Sequence, residues 1–111
     1  MSIVIEWAPF RLAPNVTEAE LLGASDALET EFLAKQPGYL RRDLLRQDEQ
    51  NWCDLVYWED RAAAEQAMQH ASGSGVCHQY FKLMAGADGA GADPGADLRH
   101  LAVMKSYRGR E

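Results

Sequence analysis

Asp54 and Trp58 raise the first chemical question in this chain. They stand four residues apart in the run Trp52 to Trp58, so on a β-strand both side chains leave the same face. Asp54 is a candidate acid or base, its other reading being a salt bridge at a rim or interface. Trp58 is a candidate for substrate binding, its other reading being core packing. His70 and His78 supply imidazoles, which titrate near neutral pH and so suit proton abstraction. His70 also fits a helix end, where the dipole favours a cation and no catalysis is needed. Trp7, Tyr80 and Phe81 could line an apolar pocket shaped for a flat ring, although aromatic residues at helical positions also serve as core.

Other chemistries find no support in the residue spacing. The two histidines are eight residues apart, not a helical metal-ligand spacing, and Cys53 and Cys77 complete no zinc pattern, so no metal is expected. The glycines of Ala85 to Ala96 are not followed by Lys-Ser or Lys-Thr, which argues against a phosphate-cradling loop. No Gly-x-Ser-x-Gly nucleophile elbow occurs.

The elements that must position these residues can be read from pattern. Ile3 to Ala8 is β-branched and aromatic and meets Pro9, which predicts a first strand. Thr17-Glu18-Ala19-Glu20 has the form of a capping box. The helix it opens aligns Leu21, Leu28 and Phe32, flanked by Leu22, Ser25 and Leu33, and stops at Pro37-Gly38. Tyr39 to Arg46 and Trp52 to Trp58 read as strands joined by the polar turn Asp48 to Asn51. Asp60 caps an Ala-rich helix, Arg61 to His70, and a short helix follows from Val76 to Met84. Ala85 to Ala96 reads as a mobile connection of Gly, Ala and Asp. Leu98 to Tyr107 reads as a fourth strand and Arg108 to Glu111 as a polar tail. The order β-α-β-β-α-β leads to a split βαβ, ferredoxin-like α+β domain spanning residues 1–111, with four antiparallel strands and both helices on one face.

With 111 residues, 47% hydrophobic and 25% charged, one core without staples is expected. The net charge of −6 repels phosphate backbones, and Arg41, Arg42 and Arg46 are offset by Asp43, Asp48 and Glu49. Nucleic-acid binding is therefore not expected, and those arginines read as a solvated strand and turn. No apolar run is long enough to span a membrane, and Met1 to Glu6 lacks the features of a signal peptide. Two sparse cysteines then read as reduced thiols, which makes the cytoplasm the default location.

The strands carry apolar residues on both faces. Ile3, Ile5 and Trp7 oppose Val4 and Ala8; Val56 and Trp58 oppose Cys53, Leu55 and Tyr57; Leu98, Ala102 and Met104 oppose Leu101, Val103 and Tyr107. Helices can cover one side only, so a second copy is expected on the other, a homodimer with an isologous sheet contact; a monomer covered there by a partner protein is the alternative. Glu6, Asp54 and His100 interrupt the apolar runs and are expected at the rim or across that interface.

Several short segments together carry a resemblance. They are Gln36-Pro37-Gly38-Tyr39 entering the second strand, Asp54 to Asp60 leading into the Ala-rich helix, Ser74 to Phe81, and the ending Lys105-Ser106-Tyr107. In these the chain resembles the dimeric α+β barrel superfamily, and within it the antibiotic-biosynthesis-monooxygenase-like proteins. The resemblance implies a homodimeric barrel with a small-molecule pocket between each sheet and its own helices. It implies oxidation of a small aromatic or quinol-type molecule by molecular oxygen without metal or flavin, although other members degrade haem, isomerise small acids or have no known reaction. Oxygenases of this type use an Asn and a Trp near the third strand to hold an enolic substrate. Here Asp54 stands instead, a negative group that would repel an enolate. The expected function is thus a cofactor-independent monooxygenase-like enzyme using His70, His78 and Asp54, with Trp7, Trp58, Tyr80 and Phe81 against the substrate. The alternative is a non-catalytic homodimer that binds a small apolar ligand.

Overall fold

Hydrogen-bond supply and hydrophobic alternation together determine how this chain is layered. In the computed structural model, which describes residues 2–86 and 97–109, the first strand β1 runs Val4–Arg11 and is followed by helix α1, Glu18–Glu31. The expected capping box forms: Glu20 N–H donates to the Thr17 hydroxyl at 3.1 Å, and Thr17 N–H donates to the Glu20 carboxylate at 3.2 Å. A single 3-10 turn, Leu33–Lys35, continues α1 toward Pro37-Gly38. Strands β2, Tyr39–Arg46, and β3, Asn51–Trp58, form the expected hairpin. Helices α2, Arg61–Ala71, and α3, Gly75–Phe81, follow, and β4 is Arg99–Ala102.

The sheet order is β2-β3-β1-β4 with every neighbouring pair antiparallel, the arrangement of a split βαβ fold. One face packs on the helices. Phe10, Trp52, Val56 and Trp58 from the strands meet Leu21 and Leu28 of α1, Ala64 and Ala67 of α2, and Cys77 and Tyr80 of α3. The other face carries Ile5, Trp7, Leu55, Tyr57 and Leu101, brought together by the pairs Ile5–Tyr57, Trp7–Leu55 and Ile5–Leu101.

The structure departs from the sequence reading at several points. β1 runs through Pro9 to Arg11, because β4 pairs only with Val4 to Trp7 and leaves the rest of β1 an edge, where a missing N–H is tolerated. β4 stops at Ala102, after which Val103 N–H donates to the Ile3 carbonyl at 2.8 Å and Met104 and Tyr107 stand exposed. Leu22 points away from the α1 core stripe and is exposed. Most of the expected Gly- and Ala-rich connection, residues 87–96, and residues 110–111 of the expected tail lie outside the described residues.

Candidate active site

Alternation along β3 turns Trp52, Asp54, Val56 and Trp58 toward the helices, and the same rule on β1 turns Val4, Glu6, Ala8 and Phe10 that way. The helices do not fill all the space above these residues. A cavity of about 800 Å³ remains between the sheet and the helix layer. Its wall is largely apolar, with Leu28 and Phe32 from α1, Ala67 from α2, and Tyr80 and Phe81 from α3. A space of this size and character suits a small ring system.

A charged cluster is set into this apolar wall. Arg42 of β2 donates from Nε to Asp54 Oδ1 at 2.8 Å, from Nη2 to the Tyr80 hydroxyl at 3.0 Å, and from Nη1 to the Ser25 carbonyl at 3.3 Å. The Tyr80 hydroxyl donates to the second Asp54 oxygen at 2.7 Å. The Arg42 and Asp54 side chains are only 5% and 9% exposed, so each charge depends on the other for the solvation it has lost. Burial pushes the Asp54 carboxyl above its ordinary value, against the pull of Arg42 and Tyr80. Burial beside Asp54 pushes the Tyr80 hydroxyl up as well, so it stays a donor and never the phenolate.

A second acid faces the cavity. Glu6 lines it from β1, and His100, its partner in the β1–β4 register, approaches Glu6 Oε1 through Nε2 at 3.3 Å. Burial raises the Glu6 carboxyl, the neighbouring Asp54 charge adds to the rise, and His100 opposes it. Trp58 is diagonal to Glu6 across the β1–β3 pair, positions roughly 7 Å apart in such sheets. Trp58 lines the cavity, is 1% exposed, and its indole N–H has no acceptor among the described residues. A buried donor left without an acceptor costs about 1–3 kcal/mol. No group of three or more His, Cys, Asp or Glu among the described residues is arranged to hold a metal ion.

Solved structures share this architecture. SnoaB, a cofactor-independent oxygenase from Streptomyces nogalater, superposes over 100% of both chains at 18% identity with a TM-score of 0.68. A Bordetella bronchiseptica protein provisionally described as an antibiotic biosynthesis monooxygenase matches 96% of this chain and 100% of its own at 16% identity, TM-score 0.70. A Caulobacter crescentus protein with the same provisional description matches 94% of this chain and 92% of its own at 18% identity, TM-score 0.66. The chain shares the fold of these proteins. No protein-family model and no curated protein matches the sequence.

Within that α+β fold the residues singled out from sequence separate into two groups. Asp54, Trp58, His78, Tyr80 and Phe81 all line the cavity, with His78 exposed to solvent on α3. Trp7 and His70 do not. Trp7 is on the opposite sheet face, 36% exposed and under the Arg99 guanidinium, because β1 alternation gives it the side of Ile5. His70 is exposed at the end of α2, its Nδ1 2.8 Å from Gln36 Oε1. Asp54 is not at a rim or interface but buried against Arg42, and Arg42 is not solvated. Glu6 and His100 pair with each other inside the chain.

Sequence reasoning missed Arg42 and Glu6. Glu6 carried a signal, since the β1 alternation that puts Val4 and Ala8 inward puts Glu6 between them. Arg42 carried almost none: its partners are 12 and 38 residues away, and acidic neighbours nearer in sequence explain it equally well.

Proposed function

We propose that this chain is a cofactor-independent monooxygenase-like enzyme acting on a small aromatic or quinol-type molecule held in the cavity. The observation that carries the proposal is the buried Trp58 N–H, a donor without an acceptor among the described residues, on a side chain that lines an apolar space of about 800 Å³. The fold shared with SnoaB, itself a cofactor-independent oxygenase, supports the reading.

The chemistry such a cavity allows needs no electron donor beyond the substrate. A base takes the proton of a ring hydroxyl, and the Trp58 N–H stabilises the negative oxygen that remains. The electron-rich ring carbon forms a C–O bond to oxygen, giving a hydroperoxide once the proton is returned. Loss of water then leaves a carbonyl: one oxygen atom enters the ring, the other leaves as water, and the ring supplies both electrons and hydrogens. Dry apolar walls keep the anion from being quenched. Asp54 takes no part as a free acid, because Arg42 and Tyr80 occupy it; it holds the Tyr80 ring against the cavity. His78 lies on the same wall and is exposed to solvent.

Oxygen-electrode assays with naphthols and hydroquinones test the proposal. Uptake with at least one compound is expected, and Trp58→Phe should weaken its binding about three- to tenfold. Absence of uptake with every compound would overturn the oxygenase reading. A second reading then stands, a non-catalytic carrier of a small apolar ligand; it is favoured by the pairing of both cavity carboxylates within the chain, Glu6 with His100 and Asp54 with Arg42.

We also infer that the chain works as a homodimer through its open sheet face. Ile3, Leu40, Leu45 and Leu101 are 43–50% exposed on or beside that face, next to Trp7. A second copy is the simplest cover for an apolar surface of this kind.

A further inference from the structure

We propose that Glu6 is the group that takes the substrate's proton, with His100 as the residue that positions it. The inference rests on the hydroxyaromatic reading above and names the base that reading leaves open. Three observations converge. Glu6 is the cavity-lining carboxylate that Arg42 does not neutralise, and among the described residues its one side-chain hydrogen bond is to His100. The Glu6 and His100 side chains are 16% and 9% exposed, so the pair is shielded but the acid still borders the cavity. β1 and β3 set Glu6 diagonal to Trp58, whose indole N–H has no acceptor among the described residues, and both residues line the cavity.

That juxtaposition defines a ligand. A ring hydroxyl would donate to Glu6, and an oxygen of the same or the adjacent ring position would accept from Trp58. As the hydroxyl proton moves to the Glu6 carboxylate, the O–H bond breaks and its electron pair stays on the ring oxygen, where the indole N–H meets it. His100 donates to Oε1 and so leaves the second Glu6 oxygen as the proton acceptor. The charged and titratable groups around Glu6 are His100 from β4, Asp54 from β3 with Arg42 of β2 behind it, and, on the cavity wall, Cys77, His78 and Tyr80 from α3 with Lys82 just after it. His78 is the rival base, and it differs in being exposed.

Two measurements separate this inference from the oxygenase reading. The first is binding alone. At roughly pH 8 the intact protein should bind 1-naphthol about tenfold more tightly than 1-methoxynaphthalene, which cannot donate. Glu6→Gln should reduce that preference to about twofold or less. An unchanged preference in Glu6→Gln overturns the proposal whether or not turnover is ever found. The second is kinetic, for any compound that supports oxygen uptake: Glu6→Gln should lower the rate at least about a hundredfold, and a rate within a few-fold of the parent's overturns it. Uptake by the parent with no loss in Glu6→Gln would leave the oxygenase reading standing and this inference refuted. His100→Asn tests the positioning role. His100 holds the Glu6 carboxyl down, so its removal should move the pH dependence of the binding preference to higher pH; no movement overturns that part. This variant also covers the case in which Glu6→Gln fails to fold.

Discussion

At the scale of single residues, the main cost in this molecule is charge taken out of water. Arg42 and Asp54 are tolerated in the core because each answers the other and Tyr80 uses what remains. Removing one partner strands the other, so Asp54→Asn should destabilise the fold by about 3–5 kcal/mol, read by urea denaturation. A loss under about 1 kcal/mol would show that water reaches the cluster. Glu6 makes an opposite pH prediction from an ordinary surface acid. Its folded-state value is raised above the usual 4.5, so its contribution to stability is complete below that value and is lost as pH rises through the folded value. Glu6→Gln should therefore flatten the decline in stability as pH rises above about 4.5, measured by thermal melts over a pH series. How far the site could be read from sequence varied residue by residue. Asp54 and Trp58 share a face by strand period alone, and that needs no partner. The Glu6–His100 contact spans 94 positions and depends on the β1–β4 register, which hydrophobic pattern does not specify. Trp7 was misassigned to the pocket although its own alternation with Ile5 sends it to the other face.

At the scale of elements, local chemistry and tertiary demand mostly agree. The Thr17–Glu20 box starts α1, and Thr17→Ala should cost about 1 kcal/mol in denaturant titration. Gly38 is more demanding. It sits at φ +82, and a Cβ there would lie 2.5 Å from the Ala63 Cβ of α2. Its carbonyl also accepts from Glu59 N–H at 2.8 Å, which fastens the start of β2 to the approach of α2. Gly38→Ala should therefore cost more than about 1 kcal/mol and loosen α2 over the cavity, seen as faster amide exchange in Ala64 and Ala67. Pattern recovered α2, β2 and β3 to within a residue, because their caps and turns are local. It stopped β1 too early at Pro9, since a proline signals a strand's end only where both edges are paired. It ran β4 too far, since apolar alternation from Leu98 to Tyr107 does not itself supply a neighbour; β1 offers one only as far as Val4.

For the whole molecule, the sheet with helices on one side explains both the cavity and the uncovered face. Pairing of two open faces into a homodimer would bury an area on the order of 1,600 Å², a standard size for a stable contact. Leu101 is 50% exposed at the centre of the β1–β4 pair, so Leu101→Asp should give single chains in sedimentation velocity while the parent sediments as a dimer. A monomeric parent at micromolar concentration would remove the homodimer from the account and leave the cavity, which one chain builds alone. The fold as a class was legible because the alternation of its four strands with helical segments, β-α-β-β-α-α-β, and the two-faced strands are global patterns. The cavity was not, because empty space is set by how far three helices stand from the sheet.

The central claim is that the Trp58 indole N–H is kept for an oxygen of a hydroxyaromatic ligand. The nitrogen-proton correlation spectrum of the three tryptophan side chains tests it directly, with Trp58→Phe providing the assignment. On saturation with 1-naphthol the Trp58 indole signal should move downfield as it gains an acceptor. Trp52, already donating to the Glu49 carbonyl at 3.3 Å, and Trp7 on the far face should hardly change. A Trp58 signal that stays in place while Trp7 shifts would put the ligand on the open sheet face and contradict the account.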